Sequence, residues 1–260
     1  MTNIFQKVFK KNRQDPSLKV IRLDETDSTN NCLRGYTPAE GEKMTVVSSD
    51  YQTAGRGQGT NTWESERGKN LTFSVLLHPT MVPLQRQFLL SMMGGIALKM
   101  VLAKYADDIT LKWPNDIYWK DRKLSGTLIE TTISGGHISN CIFGVGLNVN
   151  QQAFTSDAPN PVSLYQIVGH ETDRDKLLDE IIKSFTYCYR LIENGDYTDI
   201  AALYHDSLYR AHGFHAYRDK DGAFEAAIVE VEDDGHLILR DHDGAMRSYA
   251  FKEVEFVLPE

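Results

Sequence analysis

Hydrophobic periodicity changes twice along this chain, and the order of those changes limits the folds open to it. Up to about residue 150 the apolar runs have strand length and end at Gly, Pro or Asp. "LKVIRL" (18–23), "MTVVSSDYQ" and "LTFSVLLHP" each read as a strand, the last stopped by Pro79. "ITLKW" alternates, so Ile109, Leu111 and Trp113 share one face, and Pro114 helps to end it. "KLSGTLIETTI" and "HISNCIFGVGLNVN" pair as an antiparallel hairpin around Ser134-Gly135-Gly136. Asp27, Ser28 or Thr29 can cap a short helix after the first strand. Helical spacing covers Leu84 to about Tyr105, in spite of Gly94-Gly95, and then roughly 173–194 and 198–210. The last fifty residues return to short strands between Gly and Asp turns, a small antiparallel barrel or sandwich. Strands and helices segregated in this way predict an α+β fold. Its mixed/antiparallel central sheet with helices occupies residues 1–211, and a small β module follows over 212–260.

Charge narrows the function. With 28 Lys and Arg against 36 Asp and Glu, the chain carries a net −8, which argues against nucleic acid as its partner. Cys32, Cys141 and Cys188 are far apart and have no CxxC spacing, as expected of buried thiols in a reducing compartment. The N-terminal "MTNIFQKVFKKNRQDP" lacks an apolar run of signal-peptide length, although Ile4, Phe5, Val8 and Phe9 can make a short amphipathic turn. No stretch has the length and apolarity to span a bilayer, so the sequence reads as cytoplasmic, with no membrane partner.

Four stretches hold residues suited to chemistry. In "YQTAGRGQGTNTWESERGKN", Gly55, Gly57 and Gly59 let backbone N–H groups approach an anion, and Arg56 adds a fork-shaped charge. It is neither GxGxxG nor a P-loop, and an ordinary surface loop is its plain alternative. "KWPNDIYWKDRKLSG" sets Lys112, Lys123 and Asp116 among Trp113, Tyr118 and Trp119. Two solvated turns, at Pro114-Asn115-Asp116 and Lys120-Asp121-Arg122-Lys123, would explain much of that charge. They do not explain Lys123 entering the apolar "LSGTLI", where a confined ammonium must find an anion. "GVGLNVN" spaces Asn148 and Asn150 along a strand, a pattern open to ligand hydrogen bonding or to simple fraying. "DSTN" is a polar pocket or a helix cap.

Taken together and in this order, "DSTN", "YQTAGRGQ…W", "KWPNDIYWKDRKLSGTLIE" and "GVGLNVN" resemble the biotin protein ligases, the biotin–[acetyl-CoA-carboxylase] ligase family, from about residue 18 onward. The pairing of "KWPND" with "RKLSG" is its most specific part. The resemblance implies a class II aminoacyl-tRNA-synthetase-like catalytic domain and an SH3-like C-terminal barrel. Fewer than twenty residues precede the first strand, so it also implies the ligase-only form, without the family's N-terminal DNA-binding domain.

The activity so implied joins biotin to ATP as biotinyl-5′-AMP, with Mg²⁺, and passes biotin to a lysine of a biotin carboxyl carrier domain. Ser28, Thr29, Asn30 and Gln52 would bind the ureido ring. Gly55, Arg56, Gly57 and Gln58 would close over the biotin carboxylate and the adenylate phosphate. Lys123 would contact both groups, and Gly126 would lie along the valeryl chain. Trp63, Asn70, Lys112, Asn115 and Asn148 would surround the nucleotide. Asp116 would hold Mg²⁺, through water or directly, or take a proton from the carrier lysine. Lys123, Arg56, Lys112 and Asp116 are thus the implied catalytic set. Physics asks for such cations: two like unit charges 4 Å apart repel by about 4 kcal/mol at an effective dielectric near 20.

One departure stands out, because the family often reads GRGRxGRxW and this chain reads Gly55-Arg56-Gly57-Gln58-Gly59-Thr60-Asn61-Thr62-Trp63. Either the adenylate is held more loosely or another cation, such as Arg67 or Lys69, compensates. Three rival readings stay open: a lipoate or octanoate ligase of the same fold, a non-catalytic biotin or nucleotide sensor, and an interaction protein acting through its barrel. A homodimer through an exposed sheet edge is also open.

Overall fold

The computed structural model describes residues 16–155 and 160–258. The amphipathic turn expected of Ile4, Phe5, Val8 and Phe9 lies outside them. A seven-stranded mixed sheet runs in the order β1-β2-β3-β7-β6-β5-β4. Its strands are β1 (Leu18–Leu23), β2 (Met44–Ser49), β3 (Leu71–Leu77), β4 (Ile109–Lys112), β5 (Asp116–Trp119), β6 (Arg122–Ser134) and β7 (His137–Leu147). Only β1 and β2 pair in parallel; β3 to β7 run antiparallel to their neighbours. The β6–β7 hairpin is the one predicted from the sequence, turning through Gly135 and Gly136 at φ +59° and +80°.

Helices cover one face of this sheet. Helix α2 (Phe88–Leu102) and helix α4 (Arg174–Asn194) bury Phe143 of β7 against Phe185, with ring centres 5.7 Å apart. Gly94 is the residue that lets α2 come this close: a Cβ there would sit 3.0 Å from the Phe143 ring. On the opposite face, helix α1 (Thr29–Arg34) seals a smaller cluster of Leu33, Val47, Leu76 and Ile142. The rest of that face is open, and it holds the cavity described below.

Several boundaries differ from the sequence reading. Residues 84–105 split into a 3₁₀ turn, Leu84–Arg86, followed by α2. "DIYW", unassigned in the sequence reading, is a strand. Helix α3 (Leu164–Val168) was missed although "SLYQ" spells a capping box, with Ser163 and Gln166 bonding reciprocally. Helix α5 (Tyr197–His205) stops short of 210 because the backbone of Ser207 and Tyr209 is taken up by Leu111 of β4, at 2.8 Å each. At α1 the cap position is Ser28, but its side chain makes no cap bond; Asp27 instead accepts from Ser28 N at 2.7 Å and Asn31 Nδ2 at 2.6 Å.

The last strands form a second, antiparallel sheet ordered β11-β10-β9-β8-β12: β8 (His215–Asp219), β9 (Gly222–Val231), β10 (Leu237–Asp241), β11 (Met246–Tyr249) and β12 (Glu255–Phe256). It docks on the end of the first sheet, where Trp113 Nε1 donates to Gly235 O at 3.0 Å.

Candidate functional site

A cavity of about 1620 Å³ opens on the helix-free face of the large sheet and continues to the small one. Its floor is a cross-strand pair of glycines, Gly126 of β6 opposite Gly146 of β7. Gly144 and Gly146 of β7 and, just beyond the strand, Asn148 face the cavity, while Phe143 and Leu147 face the core. The bare floor admits two side chains. A Cβ on Gly146 would fall 2.2 Å from the Trp63 indole, and one on Gly144 would fall 2.1 Å from Asn30 Oδ1.

One end of the cavity is a network of polar side chains. Thr29 donates to Gln52 Oε1 through its N–H at 2.8 Å and its hydroxyl at 3.0 Å. Ser74 Oγ sits 2.7 Å from Thr29 Oγ1 and 2.5 Å from Asn30 Oδ1. Asn30 Nδ2 donates to Glu130 Oε2 at 2.9 Å, and Glu130 also meets Arg34 at 2.5 Å and Arg56 at 3.7 Å. Burial raises the Glu130 carboxyl, but hydrogen bonds from Arg34 and Asn30 and the charges of Arg34 and Arg56 outweigh it, leaving the group below the ordinary carboxylate range.

The glycine-rich stretch folds as a tight hairpin over the opening. Gly57 N donates to Asn61 O at 2.8 Å and Trp63 N to Gly55 O at 3.1 Å. Gly59 turns it, at φ +66°. Behind Trp63, two buried polar atoms of the wall, Trp63 Nε1 and Asn148 Oδ1, have no hydrogen-bonding partner among the described residues.

The β4–β5–β6 meander sets the cations. Asp116 pairs with Lys112 on one side and Gly126 on the other, and a register shift after Ile117 brings Lys123 opposite Tyr118. Lys123 Nζ thereby lies 2.7 Å from Asp116 Oδ2 and 6.0 Å from the centre of the Trp63 ring. Lys112 has no carboxylate within 4 Å among the described residues. Its ammonium lies 5.3 Å from the Tyr118 ring and 4.8 Å from the Phe256 ring of the small sheet. Burial pulls the Lys112 pKa down, partly offset by the Asp116 charge.

The structure therefore brings Ser28, Thr29, Asn30, Gln52, Arg56, Gly57, Gln58, Trp63, Lys112, Asn115, Asp116, Lys123, Gly126 and Asn148 to one cavity. Two expected residues are not on its wall. Asn70 is buried behind it, donating to Gln151 at 2.6 Å and accepting from Val149 N at 2.9 Å. Gly55 serves the hairpin instead: a Cβ there would meet Trp63 O at 2.8 Å. The suggested compensating cations are also engaged elsewhere, Arg67 with Glu25 and the Tyr51 ring, and Lys69 with Glu171 at 3.2 Å. Of the two charged turns, Lys120–Arg122 is structural, since Asp121 accepts from Tyr209 and Arg122 donates to Pro161 O. Asn150 is structural too, bonded both ways to the Thr172 backbone at 2.9 and 2.8 Å. Sequence reasoning missed Glu130, the Gly144–Gly146 floor and the wall supplied by Phe251, Lys252 and Phe256. The alternation Gly144, Gly146, Asn148 was a readable signal; the small sheet's contribution had none.

A model of the biotin/lipoate A/B protein ligase family matches residues 21–148. The chain is similar to the bifunctional ligase/repressor BirA of Bacillus subtilis, 30% identical over 234 residues, covering 88% of this chain and 70% of that one. It is also similar to the biotin–[acetyl-CoA-carboxylase] ligase of Paracoccus denitrificans, 28% identical over 233 residues, covering 84% of this chain and 92% of that one. Among solved structures, a biotin protein ligase from Aquifex aeolicus in complex with biotin and ATP shares the fold. Its TM-score is 0.76 at 24% identity, covering 93% of this chain and 99% of that one.

Proposed function

The chain belongs to the biotin protein ligases of the biotin/lipoate A/B protein ligase family, and from that premise we propose that it is an ATP-dependent biotin–protein ligase acting on a biotin carboxyl carrier domain. The observation that carries this reading is the single cavity that joins a polar network at Thr29 and Gln52 to the cations Arg56, Lys112 and Lys123. A purely aliphatic acid, such as an octanoyl or lipoyl tail, would leave the polar end without purpose, whereas a ureido ring both donates and accepts.

In the first step an oxygen of the biotin carboxylate bonds to the α-phosphorus of ATP as the bond to pyrophosphate breaks. Arg56 and Lys123 bridge the two anions and offset their repulsion, and Lys112 meets the phosphate chain from a partly desolvated position where its charge acts strongly. Trp63 packs against the flat adenylate, and Asn148 Oδ1 accepts from the adenine amino group, which satisfies one orphaned atom. Asn115, tied through its amide to Thr127 O, steadies the strand end beside the phosphates. Mg²⁺ fits this site, because one cavity carboxylate, Asp116, together with phosphate oxygens is the donor set that Mg²⁺ favours. When bound it would neutralise the phosphate oxygens and ease departure of pyrophosphate.

In the second step the carrier lysine bonds to the acyl carbon and AMP leaves. That amine has an ordinary pKa near 10.4, so it must lose a proton at neutral pH. Asp116 accepts it, the Lys123 ammonium keeping the carboxylate in place until then. A class II synthetase-like catalytic region over 1–211, an SH3-like module over 212–260 and a cytoplasmic setting accompany this reading. No helix among the described residues is long and apolar enough to cross a membrane.

The test is intact-mass measurement of a carrier domain incubated with this protein, MgATP and biotin or lipoate. A gain of one biotinyl group, with no lipoyl gain, is the expected result. Lipoyl transfer would move the chain to the lipoate branch. No transfer and no biotin-dependent ATP–pyrophosphate exchange would make it a sensor. Lys123→Ala should remove exchange while leaving the thermal unfolding midpoint nearly unchanged.

A further inference from the structure

Glu130 and Arg34 lie off the cavity wall, yet between them they hold two residues that form it, Asn30 and Arg56. Strand β6 sets Gly126 and Leu128 on the cavity side and Glu130 at the next position of the same face. Across on β7, the floor glycines Gly146 and Gly144 give way at that point to Ile142, which packs in the cluster under α1. Glu130 therefore stands where the open floor ends.

The two oxygens of Glu130 are divided between the two ends of the proposed acid site. Oε2 accepts from Asn30 Nδ2 at 2.9 Å, and Asn30 Oδ1 lies 2.5 Å from Ser74 Oγ, so the Asn30 amide is held on both sides. Asn30 belongs with Thr29 and Gln52 to the polar end. Oε1 lies 3.7 Å from the guanidinium of Arg56, the hairpin cation assigned to the substrate carboxylate. Arg34, in the last turn of α1, makes the shorter contact with Oε1, at 2.5 Å. One helix thus grips both oxygens of Glu130, and the place left for Arg56 is set by it.

We propose that Glu130, pinned by Arg34, is a positioning residue that fixes how far the Arg56 guanidinium stands from the polar end, and so selects acids by chain length. The proposal rests on the ligase reading above. Neither residue touches the acid; both act through Asn30 and Arg56. A chain one methylene too long or too short then leaves its ring or its carboxylate imperfectly paired, which costs affinity.

The test uses the full chain with Glu130→Gln, Arg34→Ala and the two combined. Calorimetry measures the dissociation constants of biotin, of its homologues with a side chain one methylene shorter or longer, and of MgATP. The wild type should prefer biotin to either homologue by about tenfold or more. Glu130→Gln should weaken biotin about tenfold and the homologues less than about twofold, so that the preference collapses. Arg34→Ala should act in the same direction, and the combined variant should be no weaker than Glu130→Gln alone, because both changes undo one brace. The MgATP constant should not move, which reports an intact fold. Equal weakening of all three acids, a preference that survives Glu130→Gln, or losses that multiply in the combined variant would overturn the proposal while leaving the ligase reading in place. A wild type that binds none of the acids would overturn both.

Discussion

Lys112 shows how a single residue trades stability for chemistry. Its ammonium is cradled by the Tyr118 and Phe256 rings without a carboxylate in contact among the described residues, and burial depresses its pKa. Cation–π attraction of about 1 kcal/mol recovers only part of the lost hydration. Lys112→Met, which keeps the stem and removes the charge, should therefore raise stability by about 1 kcal/mol while abolishing pyrophosphate exchange. The sign with pH follows from linkage. Because the folded pKa is lowered, the unfolded chain holds the proton more tightly below pH 10.4 or so, and the penalty is fully present below the folded value. The stabilisation by methionine should thus be largest near neutrality and vanish as pH rises through the depressed pKa towards about 10.4. Denaturant midpoints of both proteins across that range measure it. Gly146 makes the complementary case. Gly146→Ala would drive a Cβ into the Trp63 indole, so the strand should persist while nucleotide affinity falls about tenfold or more, read by calorimetry and by a shift in tryptophan emission.

Elements are where the sequence was most readable and where its limits are clearest. The β6–β7 hairpin announced itself through its strand-length runs around Gly135-Gly136, and α4 through its helical spacing; the structure adds its cap, Asp173, which accepts from Lys176 N at 3.0 Å. "DIYW" was lost because four residues between two turns carry too little periodicity to outweigh the turn signals. In the site, Arg56 and Lys123 stood out because charges next to glycines and apolar runs are locally anomalous, whereas Asp116 read as part of a turn and drew its role from the resemblance alone. Glu130 did not stand out, since one carboxylate on a strand looks like solvent-facing decoration until α1 and the hairpin converge on it. That convergence makes Glu130 the joint between three elements. Glu130→Gln should loosen Arg34 and Arg56 together and cost about 1 kcal/mol, a modest figure because the carboxylate is part exposed. Its folded pKa is lowered, so the wild-type advantage should hold above about pH 4.3 and disappear as pH falls through the folded value. Biotin affinity should weaken in parallel, since a neutral amide with one acceptor oxygen cannot hold Arg34, Arg56 and Asn30 together.

At the scale of the whole molecule, the two sheets meet at a joint that also lines the cavity. Phe256 of β12 tilts on Tyr209 with ring centres 6.2 Å apart and also faces Lys112 at 4.8 Å. Trp113 packs edge-on against Phe251 at 6.0 Å while donating to Gly235 O. Gly235 is a close approach within the joint. It sits at φ +98°, and a Cβ there would come within 2.6 Å of the Phe88 ring at the start of α2. Aromatic contacts and the Trp113–Gly235 hydrogen bond across the boundary predict a single thermal transition, with far-ultraviolet dichroism and tryptophan fluorescence changing together. Gly235→Ala tests this joint, since it loads strain onto the contact while removing no buried group. It should cost about 1–3 kcal/mol, and the midpoints seen by both probes should fall together. The cavity spans the same joint, so pyrophosphate exchange should decline in step with the displaced sheet rather than survive it. Two separated transitions, or an unstable variant with full exchange, would mean that the small sheet rides on the catalytic domain without completing its site.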